Sequence, residues 1–367
     1  MKKVVVSVTN DLVTDQRVHK VCTSLCSYGF SVLLVGRKLK DSQPISRVYE
    51  TNRMQLLFSK GPLFYMEYNI RLFLKLLFVK KNVLLSNDLD TLLPNYLVSK
   101  LSKTPLIYDS HELFTQVPEL INRPKTQKIW KSIEVYIFPK LKNVFTVSQS
   151  IVAYYTETYN VPVKLLRNLP EINSDKDIAV SSEVIEFING KHAIIYQGAV
   201  NLGRGLELMI DTIKTLENTV LCVFGKGDVL LELTEKVKKE NLSAKILLFG
   251  AVAPSELKRI TPLFDVGLSL EEDLGMNYRY ALPNKVFDYM LAGIPSLVSD
   301  LPEMKNLVSE YEIGEVLQDR SPLVVASQLN HILLNKDSYK TAIKKAQLKL
   351  NWEEESKVLK NTFEPFL

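Results

Sequence analysis

A cluster of ionisable side chains follows an apolar run in the segment IYDSHELFTQVPEL, residues 107–120. Its members are Asp109, His111 and Glu112, so an imidazole stands between two carboxylates. Such groups exchange protons or bind polar ligands, and histidine changes its charge near neutral pH. An isolated histidine is more often satisfied by local hydrogen bonds. The neighbouring acids favour a functional site instead.

Two glycine-rich turns also carry cations. In YQGAVNLGRGLELMIDTIKTL, residues 196–216, the glycines at 198, 203 and 205 allow the backbone to approach a ligand, and Arg204 adds a charge suited to a diphosphate. In VFGKGDVLLELTEK, residues 223–236, Gly225 and Lys226 repeat the pattern without a full dinucleotide-binding fingerprint. The first turn predicts a phosphate site. The second indicates a wall under a nucleotide base or, equally, a plain turn.

The most informative segment is NYRYALPNKVFDYMLAGIPSLVSDLPE, residues 277–303. Pro283 and Gly293 predict the start and the end of a helix that contains Lys285 and Asp288. Free N–H groups at the helix start, beginning with Asn284, and the lysine can bind phosphate, while the aspartate can accept hydrogen bonds from ribose hydroxyls. These residues predict a nucleoside diphosphate site. The alternative is an ordinary amphipathic helix with solvated charges.

Alternating strands and helices must position these residues. Short β-branched runs alternate with longer helical patterns along the whole chain, which is typical of parallel α/β sheets. The predicted strands of the first half are 3–9, 31–36, 82–87, 105–110, 143–148 and 163–168. Those of the second half are 193–198, 219–225, 245–250, 265–270 and 294–299.

The length of 367 residues exceeds one typical domain of about 150 residues, so two domains are expected. We predict an N-terminal Rossmann-like domain over 1–170, a polar linker over 171–190 and a C-terminal Rossmann-like domain over 191–350. Residues 351–367 predict an amphipathic helix that crosses back to the first domain. A ligand is expected in a cleft between the two domains, because open α/β sheets bind at the carboxyl ends of their strands.

The net charge of +5 conceals an asymmetry between the two halves. Residues 1–170 hold 24 basic and 12 acidic residues, net +12, whereas residues 171–367 hold 22 and 29, net −7. A basic half of this kind favours an anionic partner, either nucleic acid or a membrane surface. Basic and aromatic residues also alternate over 122–143, which fits a membrane surface or single-stranded nucleic acid.

One apolar helix in the basic half has a charged stripe. Over residues 63–82, Glu67, Arg71 and Lys75 recur at steps of four on an otherwise apolar pattern. The stripe indicates either a buried helix with this single solvent edge or a helix lying in a membrane interface beside anionic headgroups.

The cysteines and the N-terminus bear on the compartment. Three cysteines form neither a disulfide framework nor a paired metal motif, which favours a reducing compartment. The N-terminal apolar run is too short for a signal peptide, and no run of about 18 uncharged apolar residues occurs. We therefore expect a cytoplasmic protein, peripheral at the inner face of the membrane.

The segments DSHE, VFTVSQSI, YQGAVNLGRGLE, VFGKGD and LPNKVFDYMLAGIPSLVSDLPE together resemble the family-4 retaining glycosyltransferases of the GT-B fold. The resemblance extends over nearly the whole chain and implies two facing Rossmann-like domains, an acceptor-binding domain over 1–170 and a nucleotide-sugar-binding domain over 191–350. It implies that His111 lies near the transferred sugar, that Arg204 binds the donor diphosphate, and that Asp288 binds the ribose. By the same resemblance His111, Arg204 and Lys285 are the expected catalytic residues, and Gly198, Gly225 and Asn284 join Arg204, Lys285 and Asp288 as donor-binding residues.

The sequence departs from the family at two positions. The usual pair of glutamates separated by seven residues would fall at 280 and 288, where this chain has Tyr280 and Asp288. The basic residue that usually follows the first glycine is replaced by Ala199. Residues that can contact the donor sugar instead are Glu271, Glu272, Asp273 and Tyr280. On the acceptor side the expected residues are Asp15, Arg17, Asp109 and Glu112.

The resemblance implies transfer of a sugar from a UDP- or GDP-linked donor to a lipid-linked or oligosaccharide acceptor, with retention, in bacterial surface polysaccharide biosynthesis. No metal and no cofactor are expected, and no nucleic acid partner. Two alternatives stay open: a nucleotide-sugar epimerase of the same fold, and a non-catalytic nucleotide-sugar-binding protein.

Overall fold

The apolar run that follows the two N-terminal lysines forms the centre of a parallel β-sheet. In a computed structural model that describes residues 1–172 and 181–367, the chain divides into two units. The first comprises Met1–Asn168 and Glu355–Leu367, and the second Leu169–Glu354. Each unit contains one all-parallel sheet flanked by helices, so the predicted class, two parallel α/β domains, is confirmed.

The first unit has a 7-stranded sheet in the order β3-β2-β1-β4-β5-β6-β7. Its strands are β1 (Lys3–Asp11), β2 (Ser31–Lys38), β3 (Glu50–Gln55), β4 (Val83–Asn87), β5 (Leu106–Ser110), β6 (Asn143–Thr146) and β7 (Val163–Leu165). Its helices are α1 (Gln16–Ser27), α2 (Gly61–Phe78), α3 (Leu89–Ser102), α4 (Pro118–Ile121), α5 (Pro124–Ile137) and α6 (Gln149–Tyr159).

The second unit has a 6-stranded sheet in the order β10-β9-β8-β11-β12-β13. Its strands are β8 (His192–Gln197), β9 (Thr219–Phe224), β10 (Ile246–Gly250), β11 (Val266–Ser269), β12 (Ser296–Val298) and β13 (Gly314–Val316). Its helices are α7 (Ser182–Ile188), α8 (Leu206–Ile213), α9 (Leu230–Lys239), α10 (Pro254–Ile260), α11 (Met276–Arg279), α12 (Asn284–Ala292), α13 (Pro302–Tyr311), α14 (Pro322–Asn335) and α15 (Tyr339–Lys349), followed by α16 (Trp352–Phe363), which continues into the first unit.

The central strands are buried on both faces, as parallel strands covered by helices must be. Val4, Val5 and Val6 in β1 are fully buried, and β8 is equally apolar. Because the strands are parallel, their carboxyl ends meet at one edge of each sheet. The chemistry-bearing residues that follow β1, β4 and β5, or β8 and β11, are therefore brought together within their unit.

The C-terminal residues pack on the first unit. Phe363 is fully buried and meets the Phe30 ring edge-on at 5.8 Å. The Arg167 guanidinium forms a two-pronged ion pair with Glu355, with one N–O distance of 2.6 Å. Apolar packing and the Arg167–Glu355 ion pair together hold the C-terminal residues against the segments next to β2 and β7.

Two edge strands and one helix differ from the sequence prediction. The sequence pattern did not predict β3 and β13. Each is an edge strand that has no apolar run and forms hydrogen bonds with a single neighbouring strand. The range 171–190, expected to be a linker, contains α7, whose Val184 is buried in the core of the second unit. Residues 173–180 of that range lie outside the described residues.

Within the described part of the chain, no helix combines the length and the apolar character that crossing a bilayer requires.

Candidate functional site

A buried carboxylate holds two cations at the carboxyl edge of the second sheet. Glu271, only 1% exposed, lies just after β11. One of its oxygens accepts hydrogen bonds from Lys285 Nζ at 2.8 Å and from Arg204 Nη1 at 3.3 Å. Its other oxygen accepts the Ser269 hydroxyl at 2.7 Å. Three elements that are distant in sequence thus converge on one carboxylate.

The electrostatics of this cluster favour the charged form of the glutamate. Burial acts to raise the pKa of Glu271, but the Lys285 ammonium, the Ser269 hydroxyl and Arg204 together hold it below its usual range. Lys285 also lies 4.0 Å from the centre of the Tyr196 ring, a favourable position for a cation. The three charged groups therefore form a compact network.

The predicted glycines have distinct structural roles. Gly198 has a φ of +127°, and a Cβ there would lie 3.5 Å from Lys285 Cε, so the backbone passes directly beside the lysine. At Gly225 a Cβ would lie 1.8 Å from the Gly198 carbonyl oxygen, which leaves no room for any side chain. Gly225 therefore allows the two turns to pack together, and Gly198 is the glycine next to the charged network.

Asp288 has a defined orientation on α12. Its carboxylate accepts a hydrogen bond from Gln197 Nε2 at 2.9 Å. The side-chain oxygen of Gln197, Oε1, in turn accepts a hydrogen bond from the Thr261 hydroxyl at 2.9 Å. Gln197 and Thr261 are buried, whereas Asp288 is partly exposed. This relay fixes the orientation of the carboxylate. Asn284, at the first position of α12, is exposed.

Two other acids predicted to contact the donor sugar each have a basic partner. Glu272 lies 3.6 Å from Arg320, whose guanidinium also donates to the Leu270 carbonyl at 2.9 Å. Asp273 pairs with Arg279 at 2.6 Å on the surface. Tyr280 is partly buried at the end of α11. The described ion pairs connect neither Glu272 nor Asp273 to the network of Lys285, Arg204 and Glu271, and none of them involves Tyr280.

A second network occupies the carboxyl edge of the first sheet. Arg17 and Asp109, 5% and 1% exposed, form a two-pronged ion pair with distances of 2.7 and 3.1 Å. Asp109 also lies 3.3 Å from Nε2 of His111, and Asp88 lies 3.2 Å from Nδ1 of the same ring. Both ring nitrogens therefore face carboxylates. Arg17 and Asp109, expected on the acceptor side, direct their charges toward each other and toward His111.

The two carboxylates determine the charge of His111. Burial acts to lower the pKa of its imidazole, but Asp88 and Asp109 outweigh it and raise the pKa to about 10. Arg17 and His111 in turn hold the pKa of Asp109 well below its ordinary value, despite its burial. His111 is therefore an imidazolium at neutral pH, a donor of hydrogen bonds and of positive charge rather than a general base.

The remaining predicted residues of this unit have local roles. Asp15 is the N-cap of α1 and accepts the Val18 N–H at 3.0 Å. Glu112 is partly exposed and directly follows His111 in the chain.

Asp90, at the start of α3, is also buried near this network. Burial and the neighbouring Asp88 raise the pKa of Asp90 to about 8, and the Thr9 hydroxyl donates a hydrogen bond to its carboxylate at 2.5 Å. Among the described residues, no group of three or more histidines, cysteines and acids is arranged to hold a metal ion.

The ionised histidine predicts a pH-dependent contribution to stability. A pKa of about 10 in the folded state exceeds the value of about 6.5 of an unfolded histidine, so this stabilisation is complete below pH 6.5 and disappears as the pH rises through 10. We expect His111→Gln to lower the free energy of unfolding by about 2 kcal/mol at pH 6, and by progressively less toward pH 9.5.

Urea unfolding across this pH range measures the effect. His331→Gln is the control, because the His331 side chain is 65% exposed and its replacement should change stability by less than about 0.5 kcal/mol. A His111→Gln deficit that grows with pH would contradict the assigned charge.

Sequence reasoning missed four residues that complete these networks: Asp88, Gln197, Tyr196 and Arg320. Asp88 follows strand β4 in the run SNDLD, so its position at a strand exit was a usable signal. Gln197 and Tyr196 lie within the strand that precedes the glycine turn. Arg320 lies outside all of the motifs, and no sequence feature near it indicates that its side chain contacts the residues after β11.

The two all-parallel α/β units define the class of the protein, the GT-B fold. Residues 177–349 match the family model described as glycosyl transferases group 1. That match lies in the unit that carries Arg204, Glu271, Lys285 and Asp288. No curated protein sequence matches the chain significantly.

Solved structures share the fold over the entire chain. Sucrose-phosphate synthase from Thermosynechococcus elongatus has a TM-score of 0.78 at 14% identity, covering 100% of this chain and 99% of that one. Anabaena Alr3699/HepE in complex with UDP and glucose has a TM-score of 0.75 at 12% identity, covering 100% of both chains. WaaG, a glycosyltransferase involved in lipopolysaccharide biosynthesis, has a TM-score of 0.66 at 14% identity, covering 97% and 98%.

Proposed function

We propose that this chain is a retaining glycosyltransferase of the family-4 type, which moves a sugar from a nucleotide-sugar donor to a lipid-linked saccharide acceptor in bacterial surface polysaccharide biosynthesis. The observation that carries the proposal is the convergence of Lys285 and Arg204 on one point beside the Gly198 backbone. Two cations at the carboxyl edge of a parallel sheet are suited to a diphosphate. The match to glycosyl transferases group 1 includes all three residues.

The chemistry assigned to these residues is stabilisation of the leaving group. When a glycosyl bond to a diphosphate breaks, negative charge develops on the diphosphate, and preorganised cations stabilise it without reorganisation. Lys285 and Arg204 would exchange the Glu271 carboxylate for the diphosphate oxygens. Because two fixed cations supply this charge, the proposed reaction uses no metal and no cofactor, and the nucleotide sugar is a UDP- or GDP-linked co-substrate.

Asp288 is proposed to bind the ribose of the donor. Its carboxylate is oriented by Gln197, and a carboxylate can accept hydrogen bonds from both ribose hydroxyls. The Anabaena protein was solved with UDP and glucose, which supports a uridine donor among the nucleotides to test.

His111 is proposed to act at the transferred sugar as an imidazolium. Its charge suits hydrogen-bond donation to sugar or phosphate oxygens, and Arg17, Asp109 and Asp88 would keep the ring in place. Retention of configuration by a front-face route needs little basic assistance from the protein, which is consistent with a protonated histidine.

The basic charge of the N-terminal half bears on the acceptor and on the cellular location. The +12 charge of residues 1–170 suits an anionic surface or a lipid pyrophosphate, and WaaG takes part in lipopolysaccharide biosynthesis. We therefore place the protein in the cytoplasm, peripheral at the inner face of the membrane.

The direct test is release of nucleoside diphosphate from a nucleotide sugar. A thermal-shift screen over UDP-, GDP- and ADP-sugars selects the donor, since a ligand that binds only the folded state raises its stability. With that donor we expect Asp288→Ala and Arg204→Ala each to lower turnover by about tenfold to a hundredfold, because charged hydrogen bonds to the donor are lost.

Asp211→Ala is the matched control, because Asp211 is a surface acid of the same unit whose partners are Lys214 and Lys236. Its turnover should match that of the unmodified chain. Full turnover in both site variants would refute the site assignment. Conversion of a lone nucleotide sugar without any acceptor would identify an epimerase instead.

A non-catalytic nucleotide-sugar-binding protein is the second candidate. Two residues favour this candidate: Tyr280 stands where the resembled family has a glutamate, and Ala199 stands where the family has a basic residue. Stabilisation by a nucleotide sugar with no turnover over a broad acceptor panel is the result that this candidate predicts.

A further inference from the structure

The longest helix of the first unit has two apolar faces. One face, with Phe64, Tyr68, Leu72 and Leu76, is buried against the sheet. The other is exposed and apolar: its residues are 48–83% exposed and recur every three or four positions. These residues, here called the α2 apolar face, are Leu63, Met66, Ile70, Leu74 and Phe78.

This exposed face contradicts one of the two interpretations of the charged stripe. In that interpretation, Glu67, Arg71 and Lys75 form the single solvent edge of a buried helix. Instead they border the α2 apolar face on one side. Glu67 is largely buried, with 11% exposure of its side chain, because it pairs with Arg71 and accepts backbone N–H groups. An exposed helix face with no charge in its centre is unusual for a surface in water.

A rigid loop extends the face. The N–H groups of Leu57 and Phe58 donate to the Glu67 carboxylate at 2.9 and 3.0 Å. Their side chains are nevertheless 83% and 41% exposed. The hydrogen bonds thus hold two more apolar side chains in the open, next to the first turn of α2.

Cations border this apolar surface. Arg71 is 43% exposed beside Ile70 and Leu74, and Lys60 is exposed at the N-cap of α2. Elsewhere in the same unit, Lys140, which follows α5, stacks at 3.1 Å on Tyr136, which is itself 61% exposed. Apolar residues flanked by long basic side chains can enter a lipid interface while the charges stay at the headgroups.

We propose that the α2 apolar face is the membrane-docking surface of the protein and that it lies in the interfacial plane of a bilayer containing anionic lipids. The inference deepens the proposed function by assigning its membrane partner to one helix. The buried face of α2 stays packed on the sheet, so the helix lies along the bilayer surface with its axis in the plane.

The bordering charges favour a bilayer over a second copy of this chain. In a two-fold dimer the same patch would meet itself, so Arg71 and Lys60 would approach their own counterparts. Residues 1–170 carry +12, which opposes such pairing and is neutralised by anionic headgroups.

Vesicle flotation of the full chain tests the inference without a donor. Vesicles of phosphatidylcholine with about 30% phosphatidylglycerol should carry the chain, pure phosphatidylcholine should carry much less, and raising NaCl from about 0.1 to about 0.5 M should release it. Ile70→Asn should weaken binding about tenfold, because a 54% exposed apolar side chain no longer enters the interface. The control is Leu348→Asn, whose leucine is 75% exposed on α15 of the second unit and should not matter.

A second readout is independent of weakened variants. Phe78→Trp places an indole on the face, and the native Trp130 and Trp352 are 8% and 4% exposed. Vesicles with brominated acyl chains should quench the new fluorescence beyond that of the native chain.

Equal flotation of Ile70→Asn and the native chain, or no added quenching, overturns the inference. A concentration-dependent dimer that Ile70→Asn abolishes, without vesicle binding, would overturn it in favour of a second copy. Donor stabilisation measured in solution is unaffected by either result, so the proposed function is judged separately.

Discussion

Replacement of Lys285 by methionine is expected to lower nucleoside diphosphate release about a thousandfold. A preorganised donor to a developing anion contributes a factor of about 10²–10³ in rate, and Lys285 carries a full charge in a site where it is 8% exposed. Methionine keeps a similar length and apolar stem, so packing beside Tyr196 and Gly198 changes little. The loss then reports the ammonium group itself.

A stability effect must be separated from the effect on chemistry. Without Lys285 the buried Glu271 carboxylate keeps, among the described residues, Arg204 at 3.3 Å and Ser269 as partners, and removing one member of a buried ion pair costs about 3–5 kcal/mol. The double variant Lys285→Met with Glu271→Gln removes the uncompensated charge. We expect it to regain most of the stability but none of the activity.

Lys305→Met is the control, because Lys305 is 53% exposed in a surface pair with Asp300. Its turnover and unfolding should match those of the unmodified chain. Rates are measured as nucleoside diphosphate released and stability by urea unfolding. A double variant that regains both stability and turnover would show that Lys285 acts only through folding.

Replacement of Arg17 by alanine is expected to destabilise the protein by about 3–5 kcal/mol, because Asp109 would be left charged with 1% exposure. Asp109 would retain only His111 as a cationic partner. The double variant Arg17→Met with Asp109→Leu removes both charges, and we expect it to be markedly more stable than Arg17→Ala alone.

The chain offers a matched surface pair for comparison. Arg279 and Asp273 meet at 2.6 Å, much like Arg17 and Asp109 at 2.7 Å, but their side chains are 51% and 38% exposed. Arg279→Ala should therefore cost less than about 1 kcal/mol. Urea unfolding of the four proteins measures the difference. If Arg17→Ala costs no more than Arg279→Ala, burial does not determine the strength of the Arg17 pair.

The predictable part of the fold is the part with a local pattern. Apolar runs bounded by polar turns marked the central strands, and Pro283 with Gly293 marked both ends of α12. The edge strand β3 has the sequence ETNRMQ, which has no such run, because an edge strand is stabilised by one neighbour and not by burial. Its identity depends on β2, which precedes it by more than ten residues.

The candidate sites divide in the same way. His111, Arg204, Lys285 and Asp288 were predicted from their motifs, but the contacts of Arg204, Lys285 and Asp288 were not, because they join residues 14 to 91 positions apart. Residue type could not show that Glu271 neutralises two cations. Nor could periodicity show which face of α2 is exposed, since both of its faces are apolar and only the sheet position distinguishes them.

If the proposed donor binds at Lys285 and Arg204, the ion network around Glu271 makes that binding an exchange of anions. A diphosphate that engages Lys285 and Arg204 removes the groups that hold the pKa of Glu271 low, while its burial continues to raise that pKa. Binding therefore favours uptake of a proton from solvent by the displaced carboxylate. The measured affinity for a donor is then the difference between two anions competing for the same cations, and it increases as the solution becomes more acidic.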